Sequence, residues 1–140
     1  MKTGLLFFLA MLSASVQASG PDRAEAVRQQ TRQCEEAALI AANAYIGHGN
    51  DDVAANQQIA EERERLSAQN PALRPNDGQM MAAVGSVIFH RIELGHARSL
   101  PSQGPDEARM RLVAHAAATC ALLESEAGAF ADGLLEGRRR

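Results

Sequence analysis

The sequence predicts an all-α fold, a small bundle of about four helices whose terminal helices are cross-linked by one disulfide. Three observations lead there. Apolar residues recur in steps of three and four along most of the chain, the period of a helix face. The one stretch rich in β-branched residues, around Val84, Val87 and Ile88, has no second strand-like stretch to pair with. The chain has two cysteines, and each stands in the middle of an apolar stripe, one near either end.

The chain opens on Met1-Lys2, an apolar run from Leu5 to Leu12, and the small-residue site Val16-Gln17-Ala18. This is the order of a secretory signal peptide, with cleavage expected after Ala18. The run is too short for a bilayer span. Residues 19–140 are then expected to form a single helical domain of the periplasm or the extracellular space, with no membrane span left after cleavage.

Removing residues 1–18 takes away the only lysine and leaves 13 arginines against 17 acidic residues, a formal charge of −4. Three of those arginines form the tail Arg138-Arg139-Arg140, so the body is more acidic still. Such a charge balance argues against nucleic-acid binding. Tyr45, Phe89 and Phe130 are the aromatics that remain. The core must be built from Ala, Leu, Val, Ile and Met, of which the abundant alanines bury little area each. A cross-link therefore carries more weight than in an aromatic-rich core.

The first helix is expected over 22–46. Asp22 and Glu25 have the spacing of a capping box, and Pro21 marks the boundary. Its seam is Val27, Thr31, Cys34, Ala38, Ala41 and Tyr45, and glycines at 47 and 49 end it. The second helix, over 51–69, stops before Pro71. Val53, Ile59 and Leu66 are its larger apolar groups. Glu61 to Arg65 is a charge run read as a solvated face, with Glu61 at i,i+4 to Arg65. Residues 71–79 hold two prolines and Asn76-Asp77-Gly78 and are read as a loop, with Asp77 able to cap the next helix.

That third helix, over 79–95, is the most apolar stretch. It carries no charge from Met80 to Phe89 and is expected to be buried all round, filling the middle of the bundle up to Gly95. A loop is expected over 96–104. The last helix, over 105–136, begins at Pro105, with Asp106 and Glu107 at the positive end of its dipole. Its stripe is Val113, Ala116, Cys120, Leu123, Ala127, Phe130 and Leu134, and it frays at Gly133 and Gly137.

An exported chain folds in an oxidising compartment, and two cysteines allow one intramolecular pairing, so Cys34 and Cys120 are expected to join the first and last helices. Glu93 and His96 form a Glu-x-x-His pair of the kind used in di-iron bundles, but no second copy exists; the residue three before His115 is Leu112. His48 lies between glycines, His90 at the polar end of the apolar helix, and His115 off the main stripe of the last helix. None has a zinc partner pattern. Nucleophile elbows, Cys-x-x-Cys motifs and phosphate loops are absent. Catalytic, cofactor and metal residues are therefore not assigned. The expected role is non-enzymatic: binding another envelope protein, as an inhibitor or immunity protein does. Two further classes are an acid- or stress-responsive periplasmic chaperone, and a metal-binding bundle or small enzyme built on Glu93 and His96.

Overall fold

A computed structural model describes the backbone over residues 2–99 and 105–138, and the side chains over 22–90, 92–98 and 107–125. All regular structure among the described residues is helical. Five α-helices run in order: α1 (Lys2–His48), α2 (Asp52–Gln69), α3 (Asp77–Phe89), α4 (Arg91–Ser99) and α5 (Pro105–Arg138), with a short 3-10 turn over Pro71–Leu73 between α2 and α3. The expected count of about four becomes five because the third helix is two.

Helix α1 does not start at Asp22. It runs without a break from Lys2, through Pro21, to His48. Glu25, expected to close a capping box, instead bonds Arg28 one turn on, with Arg28 Nη2 donating at 2.8 Å. That i,i+3 pairing is the ordinary use of such residues inside a helix. The side chains of 2–21, where the expected export signal falls, lie outside the described residues. Among the described side chains of α1, full burial begins at Cys34. Val27 is 60% exposed and Thr31 is exposed, so the seam reduces to Cys34, Ala38, Ala41 and Tyr45, joined by Ala37, Ile40, Ala42 and Ala44. Gly49 takes φ +60°, and its N–H donates to Tyr45 O at 2.9 Å. An added Cβ there would collide with the guanidinium of Arg98, which packs over this end of α1.

Helices α1 and α5 run antiparallel. On α5 the buried stripe is Ala108, Leu112, Ala116 and Cys120. Leu112 is among the largest fully buried side chains, and the expected stripe had passed over it in favour of Val113, which is half-buried. Leu123 is exposed, and Ala127, Phe130 and Leu134 lie outside the described side chains. Ala108, Ala116 and Cys120 set small residues toward the alanines of α1, which lets the two backbones approach closely, and Leu112 is the large side chain of this buried stripe.

Helix α2 packs on α1 through Ala55 and Ile59, with Leu66 half-buried. Val53 stands exposed in its first turn. Asp51 caps the helix by accepting from Ala54 N–H at 3.0 Å. The charge run is solvated at Glu61, Glu64 and Arg65, while Glu62 is half-buried and Arg63 turns inward. Its guanidinium folds back, donates to Pro75 O through Nε at 3.2 Å and Nη2 at 3.0 Å, and pairs with Asp77 at 2.8 Å. Arg65 bonds Glu62 rather than Glu61. Gln33 Nε2 donates to Ala72 O at 3.1 Å, and Gln79 Nε2 donates to Gln33 Oε1 at 3.0 Å. These bonds fasten the 71–76 segment to α1 and satisfy Gln79, which is buried.

Asn76, not Asp77, caps α3. It forms a full capping box with Gln79: Gln79 N–H donates to Asn76 Oδ1 at 2.8 Å, and Asn76 N–H donates to Gln79 Oε1 at 2.9 Å. Asp77 is left to meet Arg63. Helix α3 is not buried all round. Gln79, Met80, Ala83, Ser86 and Val87 face α1 and α5, while Met81, Ile88 and Phe89 face outward. It ends at His90, where φ −87° and ψ 57° break the helix, and α4 begins at once. Gly95, expected to end the third helix, lies inside α4, and the expected loop from His96 is helical to Ser99. Residues 100–104 lie outside the described residues. Helix α5 carries on past Gly133 and Gly137 to Arg138.

Candidate functional site

Cys34 and Cys120 are bonded to each other, with Cα atoms 5.5 Å apart at a sequence separation of 86. Both are buried. The bond joins α1 to α5 and sets how far apart the two helices stand at this level. No free cysteine remains.

Next to the bond, α1 and α5 form the two walls of an apolar groove of about 590 Å³. Glu35 and Leu39 come from α1; Arg109, Met110, Val113, Ala114 and Ala117 come from α5. Glu35 follows Cys34 directly, and Ala117 lies one turn before Cys120. The floor is hydrocarbon and thioether. Its described charges are one acidic and one basic side chain on opposite walls. Met110 is 68% exposed although it lines this cleft. An unbranched, polarisable side chain in that position adapts to the shape of whatever apolar group enters.

A second cleft, of about 440 Å³, lies at the other end of α1 among Tyr45, Asn50, Asp52, Ile88, Leu94 and Arg98. Its lining is mixed in polarity. The Cys34–Cys120 bond does not join its walls. Burial, with the charge of Asp52 as the smaller cause, pushes the Tyr45 phenol above its ordinary pKa. The α1–α5 groove is the better-organised site because a disulfide fixes both walls.

The histidines fall into two groups. His90 and His115 stack, with ring centroids 4.1 Å apart and planes 9° from parallel. His90 Nδ1 lies 2.8 Å from Ser86 O; a carbonyl only accepts, so Nδ1 carries the proton. Thr119, one turn along α5, brings its hydroxyl to 3.3 Å from that of Ser86 and donates to His115 O at 2.8 Å. This cluster ties the C-terminal end of α3 to α5. No sequence spacing announces it, since 90 and 115 meet only when α3 packs against α5. His48, the last residue of α1, and His96 are solvent-exposed.

Glu93 and His96 lie on successive turns of α4, Glu93 half-buried and His96 exposed. Among the described residues, no three His, Cys, Asp or Glu side chains converge as a metal ion would need. Among the same residues, no helix is long and apolar enough to cross a membrane. The chain matches no protein-family model, no curated protein and no solved structure.

Proposed function

We propose that the protein is an exported, non-enzymatic helical protein that binds another protein of the envelope, as inhibitors and immunity proteins do, and that the α1–α5 groove is its contact surface. One observation carries this reading. The groove is an open apolar cleft, and its two walls are joined covalently a single residue away from its lining. A cleft with fixed walls loses little freedom when an apolar side chain docks in it. Glu35 and Arg109 at the margins supply orientation. Export is supported by the basic start, apolar run and small-residue site of residues 1–18, and by a disulfide of the kind that persists in oxidising compartments.

The test places a photo-crosslinking side chain at Met110 in the exported protein. The expected result is one saturable adduct with an envelope protein, lost when Leu39→Glu is added and absent when the probe sits at Val53 on α2. An adduct of equal yield at both positions, or none at Met110, would overturn the reading.

The stacked imidazoles favour a second reading, the acid- or stress-responsive chaperone. His90 and His115 stand ring to ring across the α3–α5 contact, so charge added to both would set two cations face to face, and they would repel. The repulsion would loosen α3 from α5 and expose the buried side of α3. A dye for apolar surface, followed as pH falls from about 7 to 5, tests it. His115→Phe keeps the stacking area and removes one charge, so an unchanged dye transition in that variant sinks this reading.

A further inference from the structure

The outer face of α3 is a different surface from the groove. From Gly78 to Phe89 it carries no charged residue. Met81 is 75% exposed, Phe89 82% and Ile88 38%, and a Cβ built on Gly85 would meet nothing within 4 Å. Among the described residues, α1 and α5 take the inner side of α3; Ile88 borders the cleft at the end of α1, and Met81 and Phe89 do not line it. With Ala82 and the backbone at the two glycines, the face offers enough apolar surface that pairing two copies buries on the order of 1,000 Å² in total, the lower end for a specific interface.

The order of residues on the face says what covers it. Met81 and Phe89 lie four positions either side of Gly85, one helical turn each way. In an antiparallel pair with Gly85 on the two-fold axis, Met81 of one copy meets Phe89 of the other, and the same contact recurs on the far side of the axis. Every residue then faces the position whose number sums with its own to twice 85. The large residues bracket a bare glycine backbone, so the helices come close at the centre. Methionine sulfur against an aromatic ring is a favourable contact. Antiparallel packing also sets the positive end of one α3 dipole beside the negative end of the other. This is the self-complementary pattern an isologous interface requires.

We infer that the chain forms a reversible two-fold dimer through antiparallel pairing of α3, centred on Gly85, with Met81 of each copy packed on Phe89 of its partner.

Sedimentation velocity of the purified, oxidised protein over a concentration series tests the inference. Wild type is expected to shift from monomer to dimer as concentration rises. Phe89→Glu and Met81→Lys, both at exposed positions the fold tolerates, should each raise the dissociation constant roughly 30-fold or more, as loss of a central contact does. The double variant Met81→Lys with Phe89→Glu should recover the dimer, because the antiparallel register sets each Lys against a Glu of the other copy, and that dimer should weaken with added salt. Val53→Glu, on α2, should leave association unchanged. Wild type that stays monomeric at its highest soluble concentration overturns the inference. So does a dimer indifferent to Phe89→Glu, or a double variant no better than the singles, or vesicles bound through Phe89 by a monomeric protein. Leu39→Glu separates this result from the groove reading: it should abolish partner capture by the probe at position 110 and leave the dimer intact.

Discussion

The α1–α5 seam and the outer face of α3 are both apolar, yet only the seam is buried. The seam is made of small residues: Ala38, Ala41, Ala108 and Ala116, with Leu112 and the Cys34–Cys120 bond among them. Small side chains let two long helices close on each other, and closure excludes water. The outer face of α3 carries larger groups, Met81, Ile88 and Phe89, and stays open. Hydrophobicity alone would rank the two the other way. Burial depends on which surfaces can be brought into contact. Helix α3 is a short helix lying on a pair of longer ones, and two neighbours cover only part of its circumference. Helix α2 packs on α1 and touches α3 at its first residue, through the Arg63–Asp77 pair.

The largest effect expected of this comparison is at the disulfide. Reduction, or Cys34→Ser with Cys120→Ser, should cost up to about 4–5 kcal/mol, since the bond closes most of the domain into one loop. Thermal melting with and without reductant measures it. An unchanged melting temperature would mean that the alanine seam holds by itself.

The next experiment sets seam against face. Leu112→Ala should cost about 2–5 kcal/mol. Met81→Ala should stay within about 0.5 kcal/mol when measured at dilution, where copies of the chain are apart. Equal costs for the two in denaturant unfolding would show that the outer face is covered within the single chain.

A smaller effect is expected where α3 begins. Asn76→Ala should lose about 1 kcal/mol because the capping box goes with it. Asp77→Ala should lose less than about 1 kcal/mol, since its contact with Arg63 is made with the carboxylate in solvent. If the Asp77 variant is the weaker of the two, the cap has been assigned to the wrong residue.

The smallest effect concerns Tyr45, at the far end of the seam. Burial raises its pKa in the folded state above the unfolded one. Its contribution to stability is therefore complete below the ordinary tyrosine range and is lost as pH rises through that range and beyond, from about 10 upward. Unfolding free energies at alkaline pH should fall less steeply in Tyr45→Phe than in wild type. Identical slopes would show that the phenol is already solvated.

Much of the fold was legible because helices are periodic. Steps of three and four placed Cys34, Ala38, Ala41, Tyr45, Ala116 and Cys120 on inward stripes, and two cysteines in mid-stripe pointed to one bond. The start of α5 at Pro105 followed from proline's fixed φ and missing N–H. The break at His90 was not legible. It carries neither glycine nor proline, and what holds it is a ring bonded to Ser86 and stacked on a residue of another helix. Gly95 misled for the complementary reason, because a helix tolerates glycine when nothing else stops it. At Arg63, a residue inside a charge run turned inward because the carbonyl of Pro75 was within its reach.

Local sequence thus determined the helical class, the inward stripe of each terminal helix near its cysteine, and the pairing of those cysteines. These rest on backbone period and on counting, which need no knowledge of neighbours. Tertiary structure decided which side of α3 is covered, where the third helix breaks, that His90 meets His115, and that Glu35, Leu39, Met110 and Val113 share one groove. Each of those depends on residues far apart in the chain being brought to one place, and the periodicity of a single helix contains no information about which of its faces another helix will occupy.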